Sequence, residues 1–196
     1  MKIAIIDYGA SNLQSVFNAL KKIGQTYAVV RKPEELTRFE KVIVPGVGAA
    51  GSTMKNLIDS GFAAKIVNLK KPTLWICIGM QILSQFSEEN ETKCLSVIPG
   101  RVKKFSRVLK VPQIGWNKVS FKKTSPLLKN IPDNQFFYFV NSYYLDAPPK
   151  YVLATALYGI AFPALVQKGN FYGVQFHPEK SGDSGLQLLR NFCELC

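Results

Sequence analysis

The chain reads as an α/β protein built on a central, mainly parallel sheet flanked by helices. Three observations predict this. Strand-length apolar runs alternate with helical periodicity through the first half, the 47% hydrophobic content is that of a folded globular chain, and the chemically capable residues fall just after apolar runs. Reactive groups in such sheets belong at the carboxyl ends of strands. A chain of 196 residues can bury a full core and is most simply one domain, residues 1–196.

Lys2–Ile6 predicts the first strand and Asp7-Tyr8-Gly9 a turn. Asn12 suits the cap of a helix reaching about Ile23, because Leu13, Val16, Phe17, Leu20 and Ile23 recur with helical spacing. Thr26–Val30 and Lys41–Val44 predict two further strands. Met54, Leu57 and Ile58 mark a helix after a glycine-rich turn. Pro72–Cys77 is the next strand, with Gly79 to about Phe86 helical. The second half is richer in strands, predicted at Val97–Ile98, Phe136–Val140, Tyr151–Ala156, Ala164–Gln167 and Phe171–Phe176. Leu186, Leu188, Leu189 and Phe192 give a terminal helix, and neither a repeat nor a flexible linker separates the halves.

The apolar runs are too short and interrupted to span a bilayer, so no membrane partner is predicted. Met1-Lys2 leads straight into the first strand, which leaves no room for a signal peptide and predicts the cytoplasm. The net charge of +12 brings nucleic acid into question, with basic residues gathered at Lys103, Lys104, Arg107, Lys110, Lys118, Lys122 and Lys123. No helix-turn-helix, zinc-finger or RNA-binding signature accompanies them, so no nucleic-acid partner is predicted. A charge-complementary protein partner and a plain solvated face both fit. Cys77, Cys94, Cys193 and Cys196 make no disulfide framework in a chain of this length. One histidine and scattered thiols offer no ligand run with metal spacing, so neither metal nor cofactor is predicted.

His177 is the only histidine, in Gly173-Val174-Gln175-Phe176-His177-Pro178-Glu179. Any imidazole base must therefore be His177, and Glu179 is close enough in sequence to orient the ring if the chain turns at Pro178. Cys77 lies between an apolar strand and a helix start, where orphan amides favour a thiolate and a sharp turn lifts the sulfur clear of the sheet. A buried structural cysteine and a structural histidine are the alternatives for either residue alone; their joint occurrence favours nucleophile, base and orienting acid. Pro45-Gly46-Val47-Gly48 lacks the ending of a phosphate-binding loop. Its glycines read either as a strand-end turn or as a device aiming amides at a developing oxyanion.

These motifs resemble class I, triad-type glutamine amidotransferases, and more closely the glutaminase subunits of imidazole glycerol phosphate synthases. The resemblance runs nearly end to end: Ile6-Asp7-Tyr8-Gly9 with Asn12-Leu13, Val44–Gly48, Ile76–Gln81, Gly115-Trp116-Asn117, Tyr138–Val140 with Ser142-Tyr143-Tyr144, and Gly173–Gly182. It implies a three-layer fold, glutamine hydrolysis through a cysteine thioester, and ammonia passed to a (β/α)8-barrel synthase as heterodimer partner. There the ammonia yields imidazole glycerol phosphate and an aminoimidazole carboxamide ribonucleotide in histidine biosynthesis. By motif, Cys77, His177 and Glu179 form the triad. Val47, Gly48 and Ile78 are expected at the oxyanion, and Gly46, Gln81, Ser142 and Tyr143 at the glutamine. Asn12, Trp116 and Lys180 are expected at the partner interface, beside the ammonia entrance.

Three departures stand out. Trp75 replaces the family's glycine two positions before the cysteine, which implies a shifted elbow or a newly opened pocket. Asn141 stands where the family prefers histidine, and Ala10-Ser11 replaces a glycine-containing pair. They fit drift in an intact enzyme, a paralogue supplying ammonia for surface-sugar synthesis, or a non-catalytic subunit. Retention of all three triad residues argues against the last.

Overall fold

The structure, a computed structural model, describes residues 2–9, 13–106, 108 and 110–196. The expected cap and interface residue Asn12, the Ala10-Ser11 departure and Arg107 lie outside the described residues.

The elements run β1 (Ile3–Ile6), α1 (Gln14–Lys22), β2 (Tyr27–Val30), β3 (Lys41–Val44), α2 (Ala50–Asp59), α3 (Phe62–Ile66), β4 (Thr73–Ile76) and α4 (Ile78–Ile82). There follow β5 (Phe86–Ser87), β6 (Thr92–Lys93), β7 (Arg101–Lys104), β8 (Gln113–Phe121), β9 (Gln135–Asn141) and β10 (Tyr143–Asp146). The chain ends with β11 (Val152–Tyr158), β12 (Ile160–Lys168), β13 (Phe171–Val174) and α5 (Gly182–Leu195). The main sheet has the order β2-β1-β3-β4-β13-β12-β11-β8-β9. It is parallel from β2 to β13 and antiparallel beyond. A small second sheet runs β10-β7-β5-β6.

Period-two alternation divides the parallel strands between two cores. Ile3, Ile5, Ile43 and Leu74 pack with Leu20 of α1 and Leu188 and Phe192 of α5. Ile6, Val42, Val44 and Trp75 face the other way, toward Leu57 of α2 and Phe62 of α3. Strands buried on both faces are what continuous β-branched runs encode, and β1, β3 and β4 are wholly buried. The predicted stripe on α1 is borne out by its buried Val16, Ala19 and Leu20. Buried Lys41 donates from Nζ to the Phe192 carbonyl at 2.8 Å, so a cation closes the last turn of α5.

The second half departs further from expectation. Val97–Ile98 is a bend, not a strand; Ile98 N instead donates to Leu83 O at 2.8 Å, just past α4. The helix after Cys77 ends at Ile82, because the chain turns there toward β5. Strand β13 stops at Val174, whereas the sequence predicted Phe176. Helices cover both faces only of the parallel half. The outer face of the antiparallel wing leaves Ile114, Trp116, Phe136 and Leu157 exposed. Among the described residues no helix is long and apolar enough to cross a membrane.

Candidate active site

Cys77 follows β4 directly and precedes α4, with φ 54° and ψ −112°. A non-glycine residue there is strained, at a cost of order 1–3 kcal/mol, and such strain persists only where the surroundings enforce it. Enforcement is visible on both sides. Cys77 N donates to Val174 O at 2.7 Å, extending the β4–β13 pairing by one bond. Beneath the elbow, Pro45-Gly46 follows β3, and a Cβ on Gly46 would fall 2.3 Å from Ile76 O and 2.5 Å from Gly79 N. Only glycine lets these two backbones meet so closely.

Trp75 does not point into this turn. Its indole points into the layer beneath the sheet, fully buried, and Nε1 donates to Thr73 Oγ1 at 2.9 Å. Gly79 packs beside it, but the constraint there comes from the backbone: a Cβ would fall 3.1 Å from Val44 O and only in ordinary contact with Trp75. The ring therefore occupies core space under the sheet and not the elbow itself.

His177 comes from the loop after β13. That loop is pinned to β9 by His177 N donating to Tyr138 O at 2.9 Å and Tyr138 N donating to Ser181 Oγ at 3.0 Å. His177 Nδ1 lies 2.8 Å from Glu179 Oε1, with both side chains less than a tenth exposed. Burial pulls the imidazole pKa down, but hydrogen bonds to Cys77 and Glu179 and the negative charge of both outweigh it and push it up to about 10. The ring is thus held charged at neutral pH, with a proton available to a leaving group near Cys77. The three residues expected as a triad are brought together.

A cavity of about 220 Å³ opens on Cys77, lined by Gly48, Ile78, Gln81, Glu89, Val140, Asn141, Ser142 and Tyr143 among others. Gly48 has φ +102°, a conformation open to glycine, and Val47 bridges it to the buried Gly46. Ile78 opens α4, so its amide has no acceptor within the helix. Gln81 is buried and donates from Nε2 to Tyr143 O and to Gln175 Oε1, each at 3.0 Å. Trp116 and Lys180 lie apart from this cavity. Trp116 is exposed on the outer wing, edge-on to Tyr138 at 6.0 Å. Exposed Lys180 lines a groove with Ser15, Asn18 and Glu179. A larger depression of about 660 Å³, lined by Phe121, Lys122, Ser125 and Lys129, holds none of the candidate residues.

Four contributors escaped sequence reasoning. Glu89 lines the cavity while its Oε2 accepts from Ala50 N at 2.7 Å. Gln175 sits buried beside the sulfur, with Nε2 donating to Cys77 Sγ at 3.8 Å. The Val140 carbonyl accepts from the same thiol at 3.7 Å. Tyr8, read only as part of a turn, donates its hydroxyl to Pro45 O at 2.7 Å and so holds the strand end that carries Gly46. Gln175 was legible as a neighbour of His177, but nothing in the sequence links the others to Cys77. Among the described residues no cluster of three or more His, Cys, Asp or Glu could hold a metal ion.

The glutamine amidotransferase class-I family profile matches residues 4–196. The imidazole glycerol phosphate synthase subunit HisH of Methanosarcina mazei is 46% identical over all of this chain and 99% of its own length. The subunit HisH of Leptospira borgpetersenii is 45% identical over 98% of this chain and its full length. A solved glutamine amidotransferase from Thermotoga maritima shares the fold with a TM-score of 0.67, at 17% identity, over 99% of this chain and 83% of that one. The chain belongs to the class-I glutamine amidotransferases and, within them, to the HisH subunits of imidazole glycerol phosphate synthase.

Proposed function

We propose that this chain, acting as a single amidotransferase domain over residues 1–196, hydrolyses glutamine to glutamate and ammonia for imidazole glycerol phosphate synthesis in histidine biosynthesis. The observation that carries the reading is Cys77 held at a strained strand-to-helix turn within reach of the His177–Glu179 pair. Cys77 Sγ, its proton passed to His177, attacks the side-chain amide carbon of glutamine. Val47, Gly48 and Ile78 supply amides to the oxyanion that develops. His177 gives its proton to the departing nitrogen, the C–N bond breaks, and ammonia leaves a γ-glutamyl thioester. Water, deprotonated by His177, then hydrolyses the thioester and restores the thiol. Glu179 orients the ring and balances its charge. Gly46, Gln81, Ser142 and Tyr143 hold the amino-acid end of glutamine.

Ammonia passes to a (β/α)8-barrel synthase, bound as a heterodimer partner in the cytoplasm, and the partner's docking arranges the Val47-Gly48 strand for turnover. Asn12, Trp116 and Lys180 meet that partner; the apolar, exposed indole of Trp116 supports this placement. The 45–46% identity to HisH subunits over nearly the whole chain favours the histidine pathway over a surface-sugar recipient. The test is glutamine hydrolysis by the chain alone and with its cognate synthase and nucleotide ligand. Cys77→Ala should abolish glutamine-dependent synthesis and leave ammonia-dependent synthesis intact. Loss of both would refute the division of labour.

A further inference from the structure

We propose that Tyr8 is a positioning residue for glutamine hydrolysis: its hydroxyl, fastened to the Pro45 carbonyl, sets where the Val47 and Gly48 amides stand when the oxyanion forms. The inference rests on the glutaminase reading and adds to it the group that holds the oxyanion segment in register with Cys77.

The segment joining β3 to α2 is secured by a side chain at each end. The Tyr8 hydroxyl donates to Pro45 O at 2.7 Å, and Glu89 Oε2 accepts from Ala50 N at 2.7 Å. Between these fastenings, among the described residues, no backbone–backbone hydrogen bond reaches Gly46, Val47 or Gly48. Exposure rises along the same stretch, from buried Pro45 and Gly46 through half-buried Val47 to exposed Gly48. Backbone held by so few hydrogen bonds reorients at little cost, so the aim of the Val47 and Gly48 amides depends on where the segment is tied.

Tyr8 is suited to be such a tie. It is buried two residues past β1, which pairs with β2 on one side and β3 on the other. Burial pushes its phenol well above the ordinary tyrosine range, so the hydroxyl keeps its proton at neutral pH. A phenol has one proton and a carbonyl only accepts, so the bond to Pro45 runs one way. The ring lies in the same core as Trp75 and Ile78, where phenylalanine would fill the same space; the hydroxyl is what reaches Pro45. One residue further, a Cβ on Gly46 would fall 2.3 Å from Ile76 O, so the tied chain runs directly against the turn that carries Cys77. Gly48 then lines the Cys77 cavity, whereas Tyr8 lines no part of it. Tyr8 therefore acts on the substrate through this segment and not by contact.

The experiment sets glutamine hydrolysis, which passes through an oxyanion, against alkylation of Cys77 by iodoacetamide. There a C–S bond forms as iodide leaves, and no oxyanion develops. Wild type and Tyr8→Phe are compared in complex with the cognate synthase, with alkylation read by mass spectrometry of the Cys77 peptide. Tyr8→Phe should lower kcat for glutamine about tenfold or more and leave KM within about twofold. Alkylation of Cys77 should stay within about twofold of wild type, which also reports a folded site with its nucleophile in place. Parallel losses in hydrolysis and alkylation would make Tyr8 a structural support of the elbow and overturn the assignment. An unchanged kcat, or a loss confined to KM, would overturn it as well. A wild-type complex that is alkylated at Cys77 yet hydrolyses no glutamine would remove the glutaminase reading, and the proposal with it.

Discussion

Replacing Glu179 with glutamine should change how stability depends on pH, and the direction follows from the His177 pair. In the folded chain the imidazole pKa is pushed up to about 10, against 6.5 for a free side chain. At about 1.4 kcal/mol per unit, a shift of this size favours the protonated folded form by on the order of 5 kcal/mol. Cys77 and Glu179 both raise it, through a hydrogen bond and a charge each, so removing the carboxylate charge forfeits a part of it, on the order of 2 kcal/mol. Because the folded pKa lies above the unfolded one, this stabilisation is fully present below pH 6.5 and is lost as pH rises through about 10. The assay is urea denaturation of wild type and Glu179→Gln at half-unit steps across that window. Groups that titrate alike in both chains cancel in the difference. The wild-type advantage should be largest near pH 6 and shrink by about 2 kcal/mol toward pH 10. A constant difference across the window would refute the coupling of Glu179 to the imidazolium.

Three further outcomes follow from the elbow. Gly46→Ala should cut glutamine turnover at least a hundredfold, since the new Cβ would fall 2.3 Å from Ile76 O; near wild-type kcat would show that the backbones can part freely. Trp75→Gly empties fully buried core space and should cost about 3–5 kcal/mol in denaturation, more than any gain from relaxing the turn; a loss below about 1 kcal/mol would mean the layer collapses onto the gap. Cys77→Gly should be more stable than Cys77→Ala by about 1 kcal/mol, because glycine alone adopts φ 54° without strain; equal melting midpoints would contradict the strain.

The parallel half was readable because its strands are short, apolar on both faces and closed by glycines or charges, as in Ile3–Ile6 and Lys41–Val44. The candidate triad could be proposed from sequence because histidine is unique and sits near a carboxylate. Strand β8 was not. Its outward Ile114 and Trp116 alternate with inward Gln113 and Gly115, which inverts the usual apolar-in pattern. Val97–Ile98 misled in the opposite way. Its β-branched pair is followed by Pro99, and Ser96 takes φ 57°, so the stretch packs against the end of α4 without joining a sheet. Glu89, Tyr8 and the Val140 carbonyl reach the cavity or its walls through tertiary packing between distant segments, which no local spacing encodes.

The fates of Trp75 and Trp116, the two tryptophans in the chain, give it a built-in optical readout. One indole is sealed in the core under the elbow, and the other is 55% exposed on the outer wing. Apolar surroundings move indole emission to the blue and water moves it to the red, so the intrinsic spectrum is a sum of two separable bands. Unfolding should erase the blue band, whereas covering the wing should quench or blue-shift the red one and leave the first untouched. Folding and docking can therefore be followed at once in the unlabelled protein, with Trp116→Phe isolating the signal from beneath Cys77.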